Sequence, residues 1–240
     1  MKTTRTRIKI CGLTRPQDVD AAVAAGADAI GFVFYPSSPR FVSAQVAQSL
    51  VRRLPAWVAA VGLFVNMPRD EMLAIADTAG LSHLQLHGDE SPEHCAGLGR
   101  PVIKALRLKG QAQTATSQGF AEEQGRLRGL LAAYSDCHAV LFDSDSPGFG
   151  GSGQGFDWTL LTPALLQTPQ RACSWVLSGG LESGSVGAAI AALSPPCLDV
   201  SSGVERREAG QIVKGEKDPQ RINEFVAAVQ TADQIKKTRS

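Results

Sequence analysis

Short apolar runs alternate with helix-patterned segments from one end of this chain to the other. That alternation limits the folds open to it more than any other feature. Strand-like runs fall at 7–11, 29–34, 58–65, 84–87, 102–106, 139–143, 175–178 and 198–201. Helical spacing falls between them and after the last, at 16–25, 44–53, 68–79, 92–98, 120–134, 158–166, 185–193 and 219–231. Pro68 in the first turn and Gly80 beyond the end punctuate the third helix as proline and glycine do. Eight strands, each followed by a helix, predict an α/β fold, a single (β/α)8 TIM barrel. A doubly wound open sheet is the rival. It usually has fewer strands and a glycine-rich turn after the first, which Gly12-Leu13-Thr14-Arg15 is not. Runs such as 30–34 and 58–65 are apolar throughout, as strands covered on both faces should be. The polar stretch 108–136 reads as a loop and the fifth helix. No linker divides the chain, so one domain is expected over 1–240, with short disordered termini at about 1–5 and 232–240.

Charge and composition exclude several classes. A net charge of +1 over 240 residues gives no electrostatic footprint for nucleic acid or for a polybasic membrane surface. No apolar run approaches the roughly 20 residues of a membrane span, and the basic first residues lack a signal-peptide core. The cysteines (Cys11, Cys95, Cys137, Cys173, Cys197) are odd in number, irregularly spaced and form no CxxC pair. That suits a reducing, cytoplasmic setting without a disulfide framework and carries no zinc signature. His83 and His87 share one face of a strand but stand ~13 Å apart, too far for one metal.

A barrel keeps its chemistry at the C-terminal ends of its strands. Collected there are Cys11, Arg40, Asn66, His87, Arg107, Asp143, Ser178-Gly179-Gly180 and Asp199 with Ser201-Ser202-Gly203. Glycine turns after strands seven and eight expose backbone N–H groups where barrels hold phosphate, although each turn alone is ordinary. Cys11 ends the first strand. Its thiol is either a small buried hydrophobe or, with Lys9 or another cation lowering its pKa, a base. Asp143 ends the sixth strand. A carboxyl group buried at an apolar strand's tip holds its proton and can act as an acid near neutral pH, and a loop anchor is the plain alternative. An acid and a base on different strands suit proton transfer at two ends of one substrate. Arg40 is placed to pair with a substrate carboxylate or to face solvent. The glycine-rich loop 144–155 reads as a lid or a second anion cradle, and it lacks the Gly-Lys-Ser/Thr ending of a P-loop.

Taken together the motifs resemble the phosphoribosylanthranilate isomerase family of tryptophan biosynthesis. The resemblance rests on Lys9-Ile10-Cys11-Gly12-Leu13-Thr14, Gly31-Phe32-Val33-Phe34 with Ser37-Ser38-Pro39-Arg40, Gly62-Leu63-Phe64-Val65-Asn66 and Leu84-Gln85-Leu86-His87-Gly88. It continues through Leu141-Phe142-Asp143, Gly150-Gly151-Ser152-Gly153, Phe156-Asp157-Trp158, Leu177-Ser178-Gly179-Gly180-Leu181 and Asp199-Val200-Ser201-Ser202-Gly203-Val204-Glu205. It implies an Amadori rearrangement of N-(5-phosphoribosyl)anthranilate to 1-(2-carboxyphenylamino)-1-deoxyribulose 5-phosphate. By that resemblance Asp143 is the general acid and Cys11 the general base. Arg40, His87 and Asp199 bind the anthranilate side, and Gly179, Gly180, Ser201, Ser202 and Gly203 hold phosphate. No cofactor or metal is implied; the partner is the phosphosugar, and the state a monomer or homodimer. Two departures stand out: the long 108–136 segment, and Glu216 in Gly215-Glu216-Lys217-Asp218, where an apolar residue is expected. The histidine-pathway aldose–ketose isomerase is a neighbouring reading, but it resembles two half-barrels with aspartates at both positions, and this chain shows no half-chain repeat. A silent phosphosugar-binding module would not need both Cys11 and Asp143.

Overall fold

In the computed structural model, which describes residues 5–108, 116–144, 156–166 and 174–239, eight parallel strands pair in chain order and close on themselves. They are β1 (Arg7–Cys11), β2 (Ala29–Val33), β3 (Ala59–Phe64), β4 (His83–Leu86), β5 (Val102–Leu108), β6 (Ala139–Ser144), β7 (Ser174–Leu177) and β8 (Cys197–Val200). β8 returns to β1 with Leu198 opposite Ile8 and Val200 opposite Ile10. The intervening helices are α1 (Pro16–Ala24), α2 (Ala44–Val51), α3 (Arg69–Ala79), α4 (Pro92–Cys95), α5 (Ser117–Ala133), α6 (Pro163–Leu166) and α7 (Ser183–Leu193), with α8 (Pro219–Arg239) closing the chain. This is the expected (β/α)8 barrel. Among the described residues no helix is long and apolar enough to cross a membrane.

Strand parity decides what faces the barrel lumen. Successive residues of a strand point to opposite faces. Ile8 and Ile10 of β1 join the large core under the helices, whereas Cys11 packs with Val33 and Leu63 inside the barrel. Val140 and Phe142 of β6 likewise face the helices, while Ala139 and Leu141 pack with Ala105 and Val176 in a lower lumen layer. Apolar layers therefore fill the lower lumen, and the same parity carried one step further brings Cys11, His87, Asp143 and Asp199 to its upper end. Burial of each large apolar side chain in the surrounding core contributes about 1.5–3 kcal/mol, which makes the scaffold stiff enough to hold polar groups that water would otherwise solvate.

Three stretches depart from the expectations. After β8 a 3₁₀ turn (Ser202–Val204) leads into a hairpin, β9 (Glu205–Glu208) and β10 (Gln211–Lys217). Its turn places Ala209 and Gly210 both at positive φ, 46° and 82°. That is the backbone of a two-residue hairpin turn, made here with an alanine where Asn or Gly is usual, and its charged strands carry no apolar alternation. The helix expected over 158–166 is instead a 3₁₀ turn (Trp158–Leu160) and the short α6; Pro163 cannot continue a helix begun before it. The stretch 232–240, expected to be disordered, is helical as far as Arg239. It contains no Gly or Pro, and Asp233 is anchored by the backbone N–H and the hydroxyl of Thr6, at 2.7 and 2.8 Å. Residues 1–4, 109–115 and most of the 144–155 loop lie outside the described residues.

Candidate active site

The upper end of the lumen opens into a cavity of about 360 Å³ lined by Cys11, Arg40, His87, Asp143, Ser178, Gly179, Gly180, Asp199, Ser201 and Ser202. All the catalytic and binding candidates except Gly203 are among its lining residues. Asn66 and Arg107 are not: Asn66, at φ 49°, accepts from the N–H of Asp89 and shapes the β4–α4 loop, and Arg107 pairs with Asp89. Sequence reasoning missed Tyr35, Gln85 and Lys214, which also line the cavity. Parity could have found Gln85, since a polar residue two positions before His87 in an apolar strand must share its face.

Around the rim from β6 to β1 the order is acid candidate, two glycine turns, thiol. Asp143 is buried, and its Oδ1 accepts from the N–H of Ser144 at 2.8 Å. Next come the turns after β7 and β8. A Cβ on Gly179, which has φ 84°, would lie 2.9 Å from the Ser144 nitrogen and 3.1 Å from Asp143 Oδ1. One on Gly203 would drive into the carbonyl oxygen of Leu181. Only glycine lets these two turns close on each other and on the acid. Ser201 Oγ then donates to the carbonyl of Cys11 at 3.0 Å, tying the β8 turn to the end of β1.

The β8–β1–β2 wall is built on buried charge. Lys9 Nζ donates to both oxygens of Asp199 at 2.9 Å and also reaches the Cys11 sulfur. Gly31 of β2 makes the room: a Cβ there would stand 2.7 Å from Cys11 Sγ and 3.1 Å from Lys9 Nζ. Burial pushes the Cys11 thiol above its ordinary value. Lys9 pulls the other way, but the negative charge of Asp199 adds to the rise. Lys9 acts in the expected direction, but burial outweighs it and the net shift of the thiol is upward.

Arg40 is not a free clamp. Its Nε and Nη2 donate to the two oxygens of Glu205, each at 2.7 Å. Glu205, fully buried, also accepts from Lys217 Nζ at 3.1 Å and from the Gly215 N–H at 2.9 Å. Burial alone would raise its pKa, but Arg40 and Lys217 hold the carboxyl below the usual range. The hairpin missed in the sequence thus supplies the partners that orient Arg40. It also explains Glu216, whose Oε2 accepts from Arg15 at 2.8 Å and from Arg206 at 2.9 Å, so that the expected apolar position is a surface ion pair here.

On the β4 side, Gln85 Nε2 lies 3.0 Å from His87 Nδ1, and His87 Nε2 lies 3.2 Å from Asp143 Oδ2 without the alignment of a hydrogen bond. The arrangement joins a carboxyl group, a thiol, an arginine and two glycine turns around one cavity sized for a small ligand.

Comparison with known proteins gives the family. The model of the N-(5'-phosphoribosyl)anthranilate isomerase family matches residues 8–228. The chain is 46% identical over 231 residues to the N-(5'-phosphoribosyl)anthranilate isomerase of Bordetella pertussis, covering 96% of this chain and 99% of that protein. It is 44% identical over 230 residues to that of Dechloromonas aromatica, with the same coverage. The crystal structure of the Thermotoga maritima enzyme superposes with a TM-score of 0.78 at 35% identity, over 94% of this chain and 99% of that one. A phosphoribosyl anthranilate isomerase solved in complex with reduced 1-(o-carboxyphenylamino)-1-deoxyribulose 5-phosphate superposes at 0.75 and 33% identity, with the same coverage. By sequence, by fold and by the extent of both matches, this chain belongs to the N-(5'-phosphoribosyl)anthranilate isomerase family.

Proposed function

We propose that the isomerisation proceeds here as an Amadori rearrangement of N-(5-phosphoribosyl)anthranilate, with Asp143 as general acid and Cys11 as general base. The observation that carries this reading is the rim order: acid on β6, glycine turns on β7 and β8, thiol on β1, arginine on β2, all on one cavity. A phosphate seated at Gly179, Gly180, Ser201, Ser202 and Gly203 leaves the ribose between Asp143 and Cys11. The anthranilate carboxylate then faces Arg40, with His87 and Asp199 on the lumen wall below.

Asp143 gives its proton to the ribose ring oxygen. The C1–O bond breaks with its electron pair going to that oxygen, and the nitrogen lone pair forms C1=N. Cys11 first loses its own proton to solvent as the cation forms; the thiolate then removes the proton from C2, the C2–H electrons form C1=C2, and the positive nitrogen is neutralised. The resulting enolamine tautomerises to the aminoketone. The substrate's own nitrogen is the electron sink. Burial raises the Cys11 thiol; the cation forming on the substrate nitrogen favours the thiolate at the step that needs it. Pairing with Glu205 leaves Arg40 pre-oriented, so little side-chain entropy is lost when a carboxylate binds.

The test is the decay of the fluorescence of freshly made phosphoribosylanthranilate, with wild type, Cys11→Ala and Asp143→Asn side by side. Each variant is expected to lose at least about 10²-fold in kcat while still binding a reduced product analogue. Wild-type rates in either variant would sink the assignment of roles.

A further inference from the structure

We infer that Gln85 is a positioning residue that fixes the tautomer of His87, so that His87 presents Nε2–H to Asp143. The inference rests on the reading of Asp143 as general acid.

The chemistry of an amide and an imidazole sets the tautomer. Gln85 is fully buried and His87 nearly so. The atom that Gln85 turns toward His87 is its amide nitrogen, 3.0 Å from Nδ1. An amide NH₂ donates and does not accept, so Nδ1 must be the acceptor. In the neutral ring the proton then sits on Nε2. Nε2 faces the Asp143 carboxyl across 3.2 Å and is buried without a hydrogen bond among the described residues. The Gln85 carbonyl oxygen is likewise buried and unpartnered. A buried N–H left without an acceptor is costly.

The proton transfer supplies the missing acceptor. Protonated Asp143 offers a poor acceptor to an N–H. As its O–H bond breaks and the proton moves to the ribose ring oxygen, the carboxyl becomes a carboxylate with two strong acceptors. One oxygen already takes the Ser144 N–H at 2.8 Å; the other takes His87 Nε2–H. This second bond strengthens as charge develops, so it favours the transition state over the bound substrate. The opposite tautomer would turn a lone pair toward the new carboxylate. His87 therefore serves the acid end of the reaction, and Gln85 acts through it without touching the reacting atoms.

The four histidines (His83, His87, His94, His138) are few enough for tautomers to be read by ¹⁵N NMR of the imidazole rings in the intact enzyme. For wild type the expected spectrum shows His87 protonated on Nε2 and bare on Nδ1; a proton on Nδ1 would overturn the inference before any variant is made. Gln85→Glu places an acceptor opposite Nδ1 and should move the proton there. Gln85→Leu should abolish the preference. Both should lower kcat by on the order of 10- to 100-fold with KM changed less than twofold. An unchanged tautomer, or an unchanged kcat with a shifted tautomer, would remove Gln85 from the mechanism. Asp143→Asn separates the two readings: if it retains full turnover the acid assignment falls, whatever the His87 spectrum shows.

Discussion

Two of the buried lysine–carboxylate pairs in this barrel, Lys104–Glu90 and Lys9–Asp199, differ in how completely they are satisfied. Lys104 on β5 donates to Glu90 at 2.8 Å, to the carbonyl of Gly88 at 2.7 Å and to that of Leu86 at 3.4 Å. Glu90 in turn accepts from the N–H groups of Asn66 and Gly88. Each donor and acceptor there is used by the protein itself, with the Tyr134 ring 5.6 Å from the ammonium. Lys9 and Asp199 are equally buried and equally close, but beyond each other they meet the Cys11 thiol and the cavity. A buried pair closed by backbone groups holds loops in place. One that keeps capacity toward a cavity is set to meet a ligand. Burial and distance alone do not separate the two cases; the remaining hydrogen-bond partners do.

The largest effects should come from breaking each pair on one side. Lys9→Met and Lys104→Met each leave a buried carboxylate unpaired and should each cost about 3–5 kcal/mol in stability. Chemical denaturation at pH 7 measures both. Only Lys9→Met should also lower kcat in the folded enzyme, so equal turnover losses in the two variants would erase the distinction. The double variants sharpen it. Lys9→Met with Asp199→Leu should regain most of the lost stability and none of the activity. Lys104→Met with Glu90→Leu should stay less stable, because the N–H groups of Asn66 and Gly88 lose their acceptor at about 1–3 kcal/mol each. Full recovery in the second double variant would show that the backbone bonds matter less than argued.

A smaller effect is expected at Arg40. Arg40→Ala should raise KM by about 10- to 100-fold, as loss of a charge-assisted hydrogen bond does, with kcat changed far less. An unchanged KM would count against a carboxylate contact. The smallest effect is one of pH. Glu205 and Glu90 both have carboxyls held below the ordinary 4.5 by their cationic partners despite burial. A lowered folded pKa contributes stability that is complete above the unfolded value and is lost as pH falls through the folded one. Stability should therefore fall below about pH 4.5. Glu205→Gln, less stable at neutral pH, should show a shallower acid slope. An identical slope would mean that Glu205 titrates alike in both states.

Much of this was legible from local pattern. The eight alternating elements, the thiol at 11, the carboxyl at 143 and the glycine turns at 179–180 and 201–203 are short-range signals: apolar period, strand ends and turn residues. Position at a strand tip was enough to gather these groups at one end of a barrel. It also gathered Asn66 and Arg107, which share the tip but not the cavity. Tip position says which end a residue occupies; lumen or rim is decided by parity, loop path and partners.

What the sequence by itself determined is the barrel and the chemical types on its rim, because strand and helix periodicities act over a few residues. What only the tertiary structure decided is pairing. Arg40 is oriented by a glutamate 165 positions away, through a hairpin whose charged strands carry no apolar signal. Lys9 is paired with Asp199, 190 positions away, and burial of the Cys11 thiol outweighs the pull of that lysine, so the thiol shifts up rather than down. Those outcomes depend on which groups barrel closure brings within about 3 Å of each other in a buried region of low dielectric, and no local window of the chain contains that distance.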